Sequence, residues 1–118
     1  MDLAVGNSGA NTVVILKNDG SGVFTPSSTI FGQTGVAALA SGDWDSDGNL
    51  DLAVANFSIN NIAVLRNNGT GSFSSLGVIA GQFGISALAA GDWDGNGSLD
   101  LAAADNGSDS VHILDNQT

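Results

Sequence analysis

Acidic residues recur at alternate positions in two short segments of this 118-residue chain. Alternate spacing in a tight loop directs several oxygen atoms toward one point, and Ca²⁺ prefers such a set of oxygen ligands. A Gly at the sixth position permits the sharp turn, and the seventh residue offers its backbone carbonyl. The predicted ligands are Asp43, Asp45, Asp47, Asn49 and Asp51 in the loop at residues 43–51, and Asp92, Asp94, Asn96, Ser98 and Asp100 in the loop at residues 92–100.

The residue types in these loops favour Ca²⁺ over other metals. Zn²⁺ would require His or Cys ligands, and Mg²⁺ prefers fewer protein ligands in a strict octahedron. The spacing resembles the first half of an EF-hand loop, but the chain has no Glu for the twelfth position. The alternative is an acidic surface turn that binds nothing, and the occurrence of two loops in register argues against it. Because Asn96 replaces an acid, we expect the second loop to bind calcium more weakly.

The two loops belong to an internal repeat. The motif that starts at Asp2 recurs at Asp51 and again at Asp100, so each step is 49 residues, and about half of the aligned positions in the first two copies are identical. Such a period is typical of repeat architectures. We predict one repeat array over residues 1–118, with repeat 1 at residues 2–50, repeat 2 at residues 51–99 and a partial repeat 3 at residues 100–118.

Each repeat contains short apolar segments separated by turns rich in Gly and Asn. Short strands at even spacing indicate an all-β fold, and a period of about 40–50 residues with four strands is typical of a propeller blade. We therefore predict tandem four-stranded antiparallel propeller-type blades. The chain holds about two and a half blades, because the first lacks its inner strand, the third lacks its outer strand and only the blade at residues 36–80 is whole.

An array of this length is too short to close into a propeller, which has about four to eight blades. Two outcomes are open: flanking repeats of the same chain complete the array, or copies of the chain complete one another as a ring or a filament. In the second case we expect head-to-tail contacts near residues 2–6 and 111–115.

Composition and charge exclude several classes of function. The net charge is −10, and Lys17 and Arg66 are the only basic residues apart from one His, which excludes nucleic acid as a partner because phosphates require a basic surface. We interpret Lys17 and Arg66 as solvated charges on an edge strand, where they discourage aggregation. The chain has no Cys, and its apolar runs are too short to cross a bilayer, so we predict no disulfide and no membrane insertion.

The remaining candidate residues have structural alternatives. Trp44 and Trp93 hold the second position of each loop, where they either pack against a neighbouring blade or loop or stack against a ligand. His112 interrupts an apolar strand with no partner acid or nucleophile apparent beside it, so we predict no enzymatic activity. Asn-x-Ser/Thr triplets are either glycosylation sites or a product of composition, and they begin at Asn56, Asn68, Asn96, Asn106 and Asn116.

The segments GDWDSDGNLDLAVAN and GDWDGNGSLDLAAAD resemble FG-GAP or VCBS-type repeats, which form the blades of integrin-α-like propellers. Phe83-Gly84 stands where the FG element is expected, whereas the first copy has Thr34-Gly35 there. The loops lack a following Gly-Ala-Pro, which favours the bacterial VCBS-like branch.

This resemblance implies calcium-stabilised blades on secreted or cell-surface proteins, with roles in adhesion, in carbohydrate or protein binding, or in scaffolding beside an enzyme. We expect a non-enzymatic extracellular binding or adhesion module. The alternatives are a self-assembling structural subunit and an accessory part of a larger surface enzyme.

Overall fold

A computed structural model describes residues 1–116, so the last two residues of the predicted third repeat lie outside it. The described chain consists of strands, with one 3-10 turn at Phe57–Ile59. The strands are β1 (Leu3–Asn7), β2 (Thr12–Asn18), β3 (Phe24–Ile30), β4 (Val36–Gly42), β5 (Asp51–Asn56), β6 (Asn61–Asn67), β7 (Phe73–Ala80), β8 (Ile85–Gly91), β9 (Asp100–Asp105) and β10 (Ser110–Leu114).

The strands form three antiparallel sheets that follow one another along the chain. The first sheet has the order β1-β2-β3, the middle sheet β4-β5-β6-β7 and the last sheet β8-β9-β10. The predicted all-β fold of propeller-like blades, open and unclosed, is confirmed. Within the described residues, the first sheet lacks a counterpart of β4 and the last sheet lacks a counterpart of β7.

The outer hairpins follow from their turn residues. Between β6 and β7, Gly69 and Gly71 adopt φ of 91° and 84°, which costs a glycine little. Asn68 accepts a hydrogen bond from the backbone N–H of Thr70 at 3.0 Å, so the side chain also fixes the turn. The ladder from β6 to β7 shifts register between Val64 and Leu65, and that from β2 to β3 shifts at the equivalent place.

Two apolar cores lie on the two faces of the middle sheet. Alternate residues of β5 and β6 point to opposite faces, as strand geometry requires. Between the first and middle sheets the buried residues are Val13, Val36, Leu52, Val54, Ala63 and Leu65. Between the middle and last sheets they are Trp44, Ala53, Ala55, Ile62, Ile85, Leu101 and Ala103. Within residues 1–116, no helix has the length and apolar character needed to cross a membrane.

Candidate metal centres

The first loop joins β4 to β5 and gathers three carboxylates. Asp43, Asp45 and Asp51 each offer one oxygen, and these oxygens lie within 4.8 Å of one another. Asp51 is fully buried at the start of β5. Its two carboxylate oxygens accept the backbone N–H groups of Trp44 at 3.1 Å and Asn67 at 2.9 Å. These two hydrogen bonds therefore fix the position of the Asp51 carboxylate at the start of β5.

Asp43 closes the turn on the opposite side. Its carboxylate accepts the N–H of Asp47 at 3.1 Å and the N–H of Gly48 at 2.8 Å. Gly48 has φ of +89°, a conformation that side chains other than glycine rarely adopt. The predicted role of the sixth-position glycine thus has a direct structural reason.

Asp47 lies in the same turn but is directed toward a basic residue of β6. Its Oδ2 is 3.2 Å from Nη2 of Arg66, and Oδ2 of Asp45 is 2.6 Å from Nε of the same guanidinium. The Arg66 side chain is half exposed, as expected of a solvated charge, but it also pairs with two carboxylates. The predicted edge-strand position is wrong for Arg66 and Lys17, because β6 and β2 are inner strands of their sheets. Both carboxylates raise the pKa of Arg66, with the hydrogen bond to Asp47 as the largest cause.

The pKa values of Asp45 and Asp47 are shifted in opposite directions. Partial burial, followed by repulsion from Asp51, raises the pKa of Asp45 above its ordinary value. The pKa of Asp47 is lowered, mainly by the hydrogen bond from the N–H of Asn49 and also by Arg66. A divalent cation among Asp43, Asp45 and Asp51 would offset the repulsion that raises the pKa of Asp45.

The second loop, between β8 and β9, repeats the same frame. Oxygens of Asp92, Asp94 and Asp100 lie within 4.8 Å of one another, and Asp100 is fully buried at the start of β9. Asp100 accepts the N–H of Asn116 at 2.9 Å and that of Trp93 at 3.0 Å. The bond from Asn116 is the largest cause of the lowered pKa of Asp100.

Asn96 holds the position of Asp47 and makes a different contact. Its Oδ1 accepts the N–H of Ser98 at 2.8 Å, as Asp47 accepts that of Asn49. Its Nδ2, however, donates to Oδ2 of Asp94 at 3.1 Å. Six of the ten predicted ligands therefore form two matched clusters. Of the other four, Asp47 and Asn96 accept the backbone N–H groups of Asn49 and Ser98 in the same turns.

The chemistry of both clusters suits a hard cation. Each cluster offers three carboxylate oxygens that could hold one metal ion, and each oxygen that accepts an N–H keeps a second lone pair for a metal.

Both loops lie within segments that match a known repeat family. The model of the FG-GAP-like repeat matches the chain at residues 1–54 and at residues 43–103, which together include both loops. The chain belongs to the FG-GAP-like repeat family. No curated protein matches it. The family resemblance predicted from the loop motifs is thereby confirmed.

The two tryptophans of this FG-GAP-like repeat chain differ in environment. Trp44 is 7% exposed and lies in the core between the middle and last sheets. Trp93, one repeat later, is 50% exposed. The packing alternative is therefore correct for Trp44.

His112 lies near three polar residues, and one of them, Asp105, is an acid, so the expectation that no partner acid lies beside His112 is wrong. Nε2 of His112 is 3.1 Å from Oγ of Ser110 and 3.6 Å from Oδ2 of Asp105 across the sheet. A catalytic triad places the acid and the nucleophile on opposite ring nitrogens, whereas Nδ1 here faces Oε1 of Gln82 at 3.3 Å. The group is thus a polar network at the end of the last sheet, without the geometry of a triad.

One of the predicted glycosylation positions is enclosed by the fold. Asn56 is 2% exposed, and its Nδ2 donates to Gln33 and Asn61, both at 3.0 Å. Asn68 lies exposed at the tip of a hairpin. The triplet at Asn116 extends beyond the described residues.

Proposed function

We propose that this chain is a calcium-stabilised binding or adhesion module that acts outside the cell and has no enzymatic activity of its own. The observation that carries the proposal is the pair of matched three-carboxylate clusters at the same place in successive repeats. Asp51 and Asp100 are buried at the same position of successive repeats, and each carboxylate oxygen that accepts a backbone N–H keeps a second lone pair for a metal ion.

Calcium fits these clusters better than other common cations. The donors are carboxylate oxygens on a short loop, and Ca²⁺ accepts six to eight oxygens with flexible geometry. The described clusters contain no imidazole, which makes them poor zinc sites. Asp43, Asp45 and Asp51 would hold one ion, and Asp92, Asp94 and Asp100 would hold the other.

The proposed extracellular location agrees with the same assignment. FG-GAP-like repeats are typical of extracellular proteins. Extracellular calcium modules bind with Kd values of about 10⁻⁴–10⁻³ M, which suits millimolar calcium outside cells. A cation at ten times its Kd that binds only the folded state stabilises the fold by about 1.4 kcal/mol per site. Calcium would therefore act here as a folding ligand.

We propose that the module binds a carbohydrate or a protein. Several aromatic side chains are exposed, among them Phe31, Phe83 and Trp93, which are 75%, 60% and 50% exposed. Aromatic side chains contribute disproportionately to binding surfaces. A glycan array and a pull-down with surface proteins would identify the class.

Thermal unfolding in calcium, magnesium and chelator tests the metal assignment. We expect calcium to raise the Tm by roughly 5 °C per occupied site, and magnesium to raise it less. Asp45→Asn and Asp94→Asn should each remove one increment, and the double variant should remove both. Asp109→Asn is the matched control, because it removes the same charge from an exposed turn outside both loops. A Tm indifferent to calcium and chelator would overturn the assignment.

A further inference from the structure

The first sheet presents an exposed apolar face on the side turned away from the middle sheet. We define the head face as Leu3, Val5, Val14, Leu16 and Phe24. The register pairs Leu3 with Leu16 and Val5 with Val14, which places these four side chains on one face. Leu3 is 47% exposed and Val5 is 43% exposed, although both lie within a strand.

The head face has buried counterparts one repeat later. The equivalents of Leu3 and Val5 in the middle sheet are Leu52 and Val54, which are 6% and 0% exposed against the first sheet. The remaining equivalents lie in the same core, and they are Ala63, Leu65 and Phe73. The residues of the head face therefore occupy the repeat positions that, in the middle sheet, pack against the preceding sheet.

The last sheet presents the complementary face at the other end of the array. We define the tail face as Trp93, Ala102, Ala104, Val111 and Ile113. The register pairs Val111 with Ala104 and Ile113 with Ala102. Val111 is 65% exposed and Ile113 is 48% exposed.

The tail face also has buried counterparts within the chain. The equivalents of Val111 and Ile113 are Ile62 and Val64, and Ile62 is fully buried against the last sheet. Ala53 and Ala55, the equivalents of Ala102 and Ala104, are also fully buried there. The residues of the tail face therefore occupy the repeat positions that, in the middle sheet, pack against the following sheet.

The tryptophans indicate what the tail face would contact. Trp44 is buried in the core that also contains Leu99 and Leu101. Two repeats before Leu99 and Leu101 stand Met1 and Leu3, which are 104% and 47% exposed. An exposed Trp93 on one copy and an exposed Met1 and Leu3 on another are thus the two halves of a contact already present inside the chain.

We propose that the tail face of one copy of this chain packs on the head face of a second copy and repeats the contact between successive sheets. The occupant is a second copy because each face matches, position by position, a surface that the chain buries against its own repeats. The contact is heterologous, so it produces rings if the rotation closes and filaments if it does not. It uses none of the loop carboxylates and does not depend on the proposed calcium sites.

Sedimentation of the 118-residue chain and of two single-face variants tests the proposal. A salt concentration of about 0.15 M screens the repulsion between copies of charge −10. We expect the average molecular mass of the unmodified chain in solution to rise with protein concentration, because copies associate. Val5→Asp blocks the head face and Val111→Asp blocks the tail face, so each variant alone should remain a monomer. An equimolar mixture should form a dimer, because each variant supplies the face that the other has lost.

Two further variants keep the test independent of folding defects. Phe31→Asp changes an exposed side chain between β3 and β4 and should associate as the unmodified chain does, with circular dichroism used to verify the fold of every variant. Trp93→Ala removes a half-exposed side chain and should weaken association about thirty-fold, as expected for a tryptophan at the centre of an interface. A monomeric unmodified chain, or a single-face variant that dimerises alone, would overturn the proposal.

Discussion

The loops at residues 43–51 and 92–100 share one backbone frame but differ in the charge around it. In both, a buried aspartate starts the following strand, and its carboxylate accepts two backbone N–H groups. In the first loop Arg66 contacts two of the acidic side chains. In the second loop the repeat position of Arg66 is occupied by Asp115, an acid.

This difference shows that geometry and charge have separate sources in the repeat. The positions of the three carboxylates are set within the loop, by the strand that begins at Asp51 or Asp100 and by the glycine turn. The charge at the repeat position of Arg66 comes from outside the loop. Arg66 lies on β6, whereas its counterpart Asp115 directly follows β10. Two sites with the same geometry can therefore bind the same ion with different affinity.

The balance of charge favours the second loop. Each cluster has three carboxylates, and the additional carboxylate of Asp47 is paired with Arg66. Because Asn96 replaces an aspartate whose charge is already paired in the first loop, the loss of that acid weakens the second loop less than the sequence alone suggests. We now expect calcium to bind more tightly at residues 92–100, the reverse of the order predicted from Asn96.

The largest expected effect follows from removal of Arg66. In a chain that carries Asp94→Asn, which leaves the first loop as the tested site, Arg66→Gln should lower the calcium Kd about five-fold to ten-fold. The physical reason is that a cation no longer competes with the guanidinium for Asp45. Isothermal titration calorimetry measures the change.

Lys17 provides the matched control for Arg66. It holds the same repeat position on β2 of the first sheet, so Lys17→Gln removes the same charge from a sheet that carries neither loop. The effect of Lys17→Gln on the Kd should stay within about two-fold, as expected for distant screened charge. If both substitutions change the Kd equally, net charge rather than the ion pair explains the result.

The strands and the loop positions of this molecule were more predictable from the sequence than its ion pairs were. The period of 49 residues, the glycine turns and the alternate apolar residues specify strands, hairpins and loop positions locally, which is why the ten strands and the six cluster carboxylates were predictable. The ion pair of Arg66 with Asp45 joins residues on different elements, so it depends on how β6 lies beside the loop. The contact of Asp105 with His112 likewise forms across the sheet.

The pH dependence of the metal-free chain gives a smaller and more local comparison. The pKa of Asp45 is raised above 3.8, so protonation of Asp45 favours the folded state as the pH falls toward that value. The pKa of Asp100 is lowered below 3.8, so the stability that its hydrogen bonds supply persists to that pH and is lost as the pH falls further. We therefore expect, in chelator, a small rise in Tm on mild acidification and a fall below about pH 4.

Carboxyl-detected NMR titration assigns this behaviour to the two loops. Asp45 should titrate at a higher pH than Asp100, and Asp45→Asn should abolish the rise in Tm while the fall at lower pH remains. Titration of Asp100 above Asp45 would show that the burial and repulsion around Asp45 do not govern its protonation.

The smallest expected effect is that of Asn96→Asp in the second loop. An added carboxylate attracts a divalent cation, and this alone would tighten binding. The substitution also removes the hydrogen bond that Nδ2 of Asn96 donates to Asp94 and places a negative charge beside that carboxylate. Because the two consequences oppose each other, the calcium Kd of a chain that carries Asp45→Asn should fall by no more than about two-fold. Calorimetry that shows a ten-fold gain would mean that charge number, and not the turn geometry held by Asn96, limits the affinity of this loop.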